Sequence, residues 1–191
     1  MKRMLLLVLL FTTACAPSQS AIQTAIAQTQ AAIPTAISTS TPIALKDIKL
    51  DALLVQPGDL PAGITTAQIR STAPAMFSGL PVADQTVFQQ FSQAGNISGG
   101  ATVFLYSDAT KRQNAYAQIH DGMGPAGLNS TVQNVGEKSN EIHMTLIQDE
   151  YEILFLRCTA VVHIRMFIDD NASIEAYAQH LDQRLTPVVC R

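Results

Sequence analysis

Three runs of alternating apolar and polar residues between positions 140 and 168 constrain this chain more than anything else in it. A period of two is the pattern of a β-strand that presents one side to a core. Two-residue turns at Gln148-Asp149 and Cys158-Thr159 would fold the runs into a three-stranded meander. One face then carries the rows Ile142–Phe155–Val162, Met144–Ile153–Ile164 and Leu146–Tyr151–Met166, all apolar or aromatic, and is assigned to the core. The opposite face carries Glu141–Leu156–Val161, His143–Leu154–His163, Thr145–Glu152–Arg165 and Ile147–Glu150–Phe167. Glu152 falls opposite Arg165, as a cross-strand ion pair should, whereas a slip of one residue would bury Glu152.

A short helix is expected within Ile48–Val55, stopped by the Pro57-Gly58 turn, and a strand near Ile64–Arg70. Residues Thr86–Gln93 fit either a helix or one arm of a hairpin; Gly95-Asn96 as the turn favours the hairpin, with Ala101–Tyr106 as a strand after it. A helix is expected from Asp108 to Asp121, with Tyr116 and Ile119 inward and Gly122 as its C-cap. The last helix, about Ile174–Leu185 with Ser173 as N-cap, gathers Ile174, Tyr177, Ala178, Leu181 and Leu185 on one side, which suits the apolar face of the meander. The fold class is therefore α+β: an antiparallel sheet with a C-terminal three-stranded meander and helices packed mainly on one face.

The N-terminus is of another kind. Lys2 and Arg3 precede an uninterrupted apolar run from Met4 to Phe11, a secretory signal too short to span a bilayer permanently. The block Thr12-Thr13-Ala14-Cys15 resembles the lipobox of bacterial lipoproteins, with Thr12 where that family usually has Leu. The resemblance implies removal of residues 1–14, lipidation of Cys15 through a diacylglycerol thioether, added palmitate-type acylation, and a place on the extracytoplasmic face of the cell membrane. Two or three acyl chains anchor a protein stably, where one does not. The alternative is an ordinary signal cut after Ala14-Cys15-Ala16, which the ring of Pro17 just past the bond opposes.

Residues 15–45 read as the lipidated Cys and a tether, because Ala16–Leu45 contains no charged residue. Ala21-Ile22-Gln23-Thr24-Ala25-Ile26 recurs eleven residues on as Ala32-Ile33-Pro34-Thr35-Ala36-Ile37, a spacing that keeps isoleucines on one helical face. Pro34 and the linker-like Ser38–Pro42 favour a low-complexity spacer over an oligomerising helix. Its reach is on the order of 30 Å as a coil and up to ~100 Å when stretched. Residues 46–191 make the single folded domain. With Cys15 spoken for, Cys158 and Cys190 form an even remainder, which in an exported chain points to a disulfide, with two buried free thiols as the alternative. From Lys46 onward ten Lys and Arg face fifteen Asp and Glu, a net charge of −5 with no basic stripe, so nucleic acid is not expected as a partner.

A wider resemblance rests on Asp59-Leu60-Pro61-Ala62-Gly63, on Gly99-Gly100-Ala101-Thr102-Val103-Phe104-Leu105-Tyr106, and on Ala176, Leu181 and Leu185 of the last helix. These look like uncharacterised bacterial envelope lipoproteins with a "DLPAGF"-type opening, and the layout is distantly similar to extracellular sensor domains of actinobacterial Ser/Thr kinases. Ile64 stands where that group has Phe, and Cys158 sits in a turn that often carries Gly. No catalytic residues are defined for the group; the resemblance implies a sensing or ligand-binding module.

The chemical motifs are each incomplete or misplaced. Gly122-Met123-Gly124-Pro125-Ala126-Gly127 spells G-x-G-x-x-G, but it follows a helix rather than a strand and contains Pro125, so it reads as a helix end and loop. Asp169, Asn171, Ser173 and Glu175 alternate like a calcium loop, yet Ile174 and His180 occupy the positions that need Gly and Glu. Acidic and capping residues at a helix start explain that run without a metal. No Ser lies in G-x-S-x-G, and no Cys has a catalytic partner nearby in sequence. His120 with Asp121 suits a helix end. His143 and His163 would share the outer sheet face, ~10 Å apart with Leu154 between them. That face mixes apolar residues with His143, Glu152, His163 and Arg165, and is either a contact surface or covered by the chain itself.

The function expected from these residues is a membrane-anchored, non-enzymatic ligand-binding or sensing module without cofactor or metal, using His143, Glu152, His163 and Arg165. Its partners would be the membrane through the anchor and a small molecule or an envelope protein. The alternative is a structural or assembly lipoprotein docked on another envelope protein, and the third reading is a hydrolase without a recognisable motif.

Overall fold

Long runs of β-branched and aromatic residues, broken by glycine turns, build one seven-stranded sheet that is antiparallel at every paired edge. The computed structural model describes residues 44–56, 58–123, 128–145 and 149–191. The leader, Cys15 and the tether lie outside the described residues. In chain order the strands are β1 (Ile64–Arg70), β2 (Gln85–Gln93), β3 (Asn96–Leu105), β4 (Leu128–Ser130), β5 (Lys138–Thr145), β6 (Asp149–Arg157) and β7 (Ala160–Phe167). In space they run β1-β2-β3-β7-β6-β5-β4, so two meanders meet where β3 pairs with β7. The helices are α1 (Asp51–Leu54), α2 (Ala109–Gly122) and α3 (Asn171–Val189). Among the described residues no helix is long and apolar enough to cross a membrane.

The hairpin reading of Thr86–Gln93 holds, with its turn one residue earlier than expected. Ala94 (φ 49°) and Gly95 (φ 84°) both take left-handed conformations, the two-residue turn that matches strand twist. A few residues past the turn, Gly99 (φ 134°) lies so close to β7 that a Cβ there would meet the Arg165 carbonyl oxygen. Only glycine fits. Strand β1 forms one edge of the sheet, exposed along its length except at Ile64, and its pairing with β2 is broken by an irregularity between Thr66 and Ile69.

The β6–β7 register is the one read from the sequence: Phe155 faces Val162, Ile153 faces Ile164, Tyr151 faces Met166 and Glu152 faces Arg165. The β5–β6 register is not. Ile142 pairs with Glu152 and Met144 with Glu150, in place of Phe155 and Ile153, a three-residue shift that turns every side chain of β5 to the other face. Asp149 is the first residue of β6 and not part of a turn. It pairs with Thr145, whose Oγ1 donates to its carboxylate at 2.7 Å, and residues 146–148 lie outside the described residues. Alternation selects a register only where one face is buried, and here both faces of the sheet are covered.

α1 and α3 lie on the face assigned to the core, so the helices gather mainly there, on Val87, Phe91, Val103, Ile153, Phe155, Val162 and Ile164. Ile174, Tyr177, Ala178, Leu181 and Leu185 of α3 are all buried in this layer. α3 starts earlier than expected, since Asp170 and not Ser173 is the N-cap, accepting from Ala172 N–H at 3.0 Å and from Ser173 Oγ at 2.9 Å. Inside the layer Arg157 clamps the buried carboxylate of Asp182 with both arms of its guanidinium, and the Gly136 N–H donates to the same carboxylate at 3.0 Å. Cys158, at φ 47° in the β6–β7 turn, is disulfide-bonded to Cys190 at the end of α3.

The opposite face carries α2, capped by Asp108, whose side chain accepts from the N–H groups of Thr110 and Lys111. Tyr116 and Ile119 point inward as expected, onto Phe104, Leu154, Leu156 and Val161. Gly122 is the last helical residue rather than a left-handed cap, because Met123 continues at φ −65°. The β1–β2 connection crosses the same face as a strap. A short 3₁₀ turn at Ala75–Phe77 presses the Phe77 ring edge-on against Phe104 at 5.3 Å, and Tyr106 Oη donates to the Pro81 carbonyl at 3.1 Å. All the described residues belong to one compact unit.

Candidate functional site

Period two places Glu150 and Glu152 on one side of β6, and His163 and Arg165 on the same side of β7. These four form the floor of a cleft between α2 and the strap. Glu152 and His163 are almost fully buried, 4% and 3% exposed, and the Glu152 Oε2–His163 Nε2 distance is 3.1 Å. Arg165 Nε lies 3.5 Å from Glu152 Oε1 and 2.6 Å from Glu150 Oε1. The last two atoms are in ionic contact but are not aligned as a hydrogen bond. The His163 ring is also met edge-on by Phe77 at 5.2 Å, and the Arg165 guanidinium lies 5.0 Å over the Phe167 ring.

The two carboxyls are pushed apart electrostatically. Burial raises Glu150, the Arg165 guanidinium pulls it back, and a hydrogen bond with Glu152 raises it again, so it sits above the usual carboxylate range. Burial also acts to raise Glu152, but the hydrogen bond and charge of His163, the hydrogen bond from Glu150 and the charge of Arg165 outweigh it, and it sits below that range.

Above this floor the walls are apolar. The cleft holds about 340 Å³ and is bounded by Met76, Phe77 and Leu80 of the strap, Ile119 and Met123 of α2, and Met144 of β5. A second cleft of about 220 Å³ opens on the other side of the strap. It shares Met76, Phe77, His163 and Arg165 with the first and adds Phe88, Ile97 and Phe167. Its floor exists because Gly100 stands beside Arg165 in the cross-strand row: a Cβ at position 100 would come within 2.5 Å of the Phe88 ring.

Of the four residues picked out from the sequence, Glu152, His163 and Arg165 come together and His143 does not. The β5 register shift turns His143 to the α3 side, where it stacks on Tyr151 with ring centroids 4.2 Å apart. Its Nε2 lies 3.0 Å from Asp149 Oδ1 and 3.2 Å from Thr145 Oγ1. Hydrogen bonds from Thr145, then from His143, hold the Asp149 carboxyl below its ordinary range. Glu150 takes the fourth place in the cluster, and its position two residues before Glu152 was signal enough to find it. The strap residues Met76 and Phe77 carried no such signal, since nothing local says where a loop will lie.

Among the described residues lining the larger cleft none is Ser, Thr, Cys or Lys. Among the described residues the one close group of three metal-ligating side chains is Glu137, Cys158 and Cys190, whose sulfurs are bonded to each other. The calcium-like run serves α3 instead: Ser173 bonds the capping Asp170, and Asn171 Nδ2 donates to Glu175 at 3.4 Å. Residues 124–127 of the glycine pattern lie outside the described residues.

No protein-family model and no curated protein matches this sequence. A solved structure of a GTP-binding regulator from Thermotoga maritima aligns with 72% of this chain and 90% of its own, at 8% identity and a TM-score of 0.41. A likeness at that level carries no argument.

Proposed function

We propose that this chain is a lipoprotein held at Cys15 on the extracytoplasmic face of the cell membrane, and that its domain is a non-enzymatic binding or sensing module for a small ligand. The observation that supports the reading best is the charged cluster Glu150, Glu152, His163 and Arg165 at the foot of a methionine-walled cleft. Charged side chains are seldom buried unless paired, and a pocket with mostly apolar walls and a few convergent polar groups is the usual form of a ligand site. The lipobox resemblance supplies the address, and the uncharged stretch Ala16–Leu45 the spacing from the bilayer.

Two measurements test this together. Mass spectrometry of the mature N-terminus is expected to find Cys15 with diacylglycerol and acyl groups; an unmodified thiol or an uncleaved leader overturns the anchor. Native mass spectrometry of the protein extracted in its own lipids with a polymer is expected to show a small molecule that Met123→Glu removes. A stoichiometric protein partner with no small molecule would instead support the structural reading, to which the exposed Ile69, Met76, Val82 and Ile97 lend some weight.

A further inference from the structure

We infer that the larger cleft takes a single-chain amphiphile with a carboxylate head, the head on the free edge of Arg165 and the chain among Met76, Met123 and Met144. The inference rests on the reading of the cleft as a ligand site and adds the chemistry of what enters it.

The head follows from which polar groups on the floor are already engaged. Glu152 has both oxygens occupied, one by His163 and the other by Arg165, and Glu150 Oε1 is shut in against Arg165 Nε. A cationic head would have to compete with Arg165 and His163 for these carboxylates. Arg165 itself is used on one edge only. Its side chain keeps 34% of its exposure, it borders both clefts, and its terminal amino groups donate no hydrogen bond among the described residues. Gly100, next to it in the row, puts no side chain over that edge. A planar donor fork open to a cleft matches a carboxylate in two parallel hydrogen bonds. Glu152 is paired to His163 and Glu150 Oε1 lies against Arg165 Nε, which leaves the terminal amino groups of Arg165 as the open donors of the floor. A single guanidinium with no lysine beside it suits a monoanion better than a phosphate dianion.

The chain follows from the walls. Three of the four methionines among the described residues line this one cleft, and the fourth, Met166, is buried on the other face of the sheet. Unbranched thioethers re-pack around chains of varying shape, where a rigid ligand would be met by a rigid wall. At about 340 Å³ the cleft stands at the small end of ligand pockets, which excludes a two-chain phospholipid.

The test uses the mature chain with Cys15→Ser, which carries no lipid and needs no detergent, titrated by calorimetry with decanoate, decylamine and decan-1-ol. Decanoate is expected to bind at least about tenfold more tightly than either of the others. Arg165→Gln is expected to remove that preference while leaving decan-1-ol binding unchanged. Because the order of the three heads is read in the unsubstituted chain, the inference stands or falls even if Arg165→Gln does not fold. Equal or tighter binding of decylamine, or decanoate binding that Arg165→Gln leaves intact, overturns the carboxylate head and keeps the ligand site. If none of the three binds and 1-anilinonaphthalene is not taken up either, the ligand-site reading fails as well.

Discussion

Reduction of the Cys158–Cys190 bond changes the folded protein little and the unfolded chain a great deal. In the fold, the last turn of α3 keeps other holds on the β6–β7 turn: Thr159 Oγ1 donates to the Val189 carbonyl at 3.1 Å, and Val189 is buried in the core. In the unfolded chain, the bond closes a loop across a separation of 32 residues. The chain-entropy account gives about −2.1 − 1.5R ln 32, close to −12 cal/mol/K, or about 3.7 kcal/mol at 25 °C. For a domain near 150 residues this corresponds to a fall in Tm of about 7–15 °C. The assay is thermal melting by circular dichroism at 222 nm, with thiol titration to confirm full reduction, repeated on Cys158→Ser/Cys190→Ser to separate the loss of the bond from any effect of reductant. Urea melts should show a larger slope, because a chain without the loop exposes more surface when unfolded. A Tm drop below about 3 °C with both thiols titrated would refute the reasoning. The stabilisation would then not come from restraint of the unfolded chain. The left-handed φ of Cys158 offers an internal control: with Cys190→Ser in place, Cys158→Gly should be more stable than Cys158→Ser by about 1 kcal/mol.

Three other outcomes are expected. Asp182→Ala strips Arg157 and the Gly136 N–H of a buried partner and should cost about 3 kcal/mol in a urea melt, softened because Arg157 keeps some contact with water. Glu150→Gln removes a carboxyl whose folded form prefers its proton. The native state holds that proton above the pKa of the unfolded chain, so wild-type stability is eroded as pH rises through the raised value. The variant should therefore gain stability relative to wild type at pH 8 and lose that advantage at pH 4, where both states are protonated; an advantage equal at both pH values would count against the shift. Gly99→Ala drives a Cβ into the Arg165 carbonyl at a φ that only glycine holds easily, and should cost at least about 3 kcal/mol or prevent folding, as read by soluble yield and melting.

What could be read from the residues depended on how local the information was. The β6–β7 hairpin needed only alternation, a two-residue turn and one ion pair, and all three agreed. The inward stripe of α3 was legible for the same reason: Ile174, Tyr177, Ala178, Leu181 and Leu185 recur at helical spacing. β5 was misplaced because Ile142 and Met144 are apolar whichever face they meet, and the second face proved to be buried too. With α2 over one side and α3 over the other, alternation loses its power to choose a register. His143 was drawn into the candidate site by that error alone. Glu152, His163 and Arg165 could be read as neighbours because they sit on the two strands whose register was legible. The cleft above them was invisible, since its walls come from a strap, a helix end and a neighbouring strand distant in sequence. Strand β4 escaped notice as well: three residues, Leu128–Ser130, are too few to show a period.

The break in β1 between Thr66 and Ile69 bears on life in a crowd. On the proposed anchor, copies of this protein would meet each other often, and a bare sheet margin is where such encounters turn into fibrils. Here an arriving strand finds a few matched rungs from Ile64 to Thr66, then a kink, then Ile69 and Arg70 out of step. That break in register interrupts the template this margin would offer a second strand.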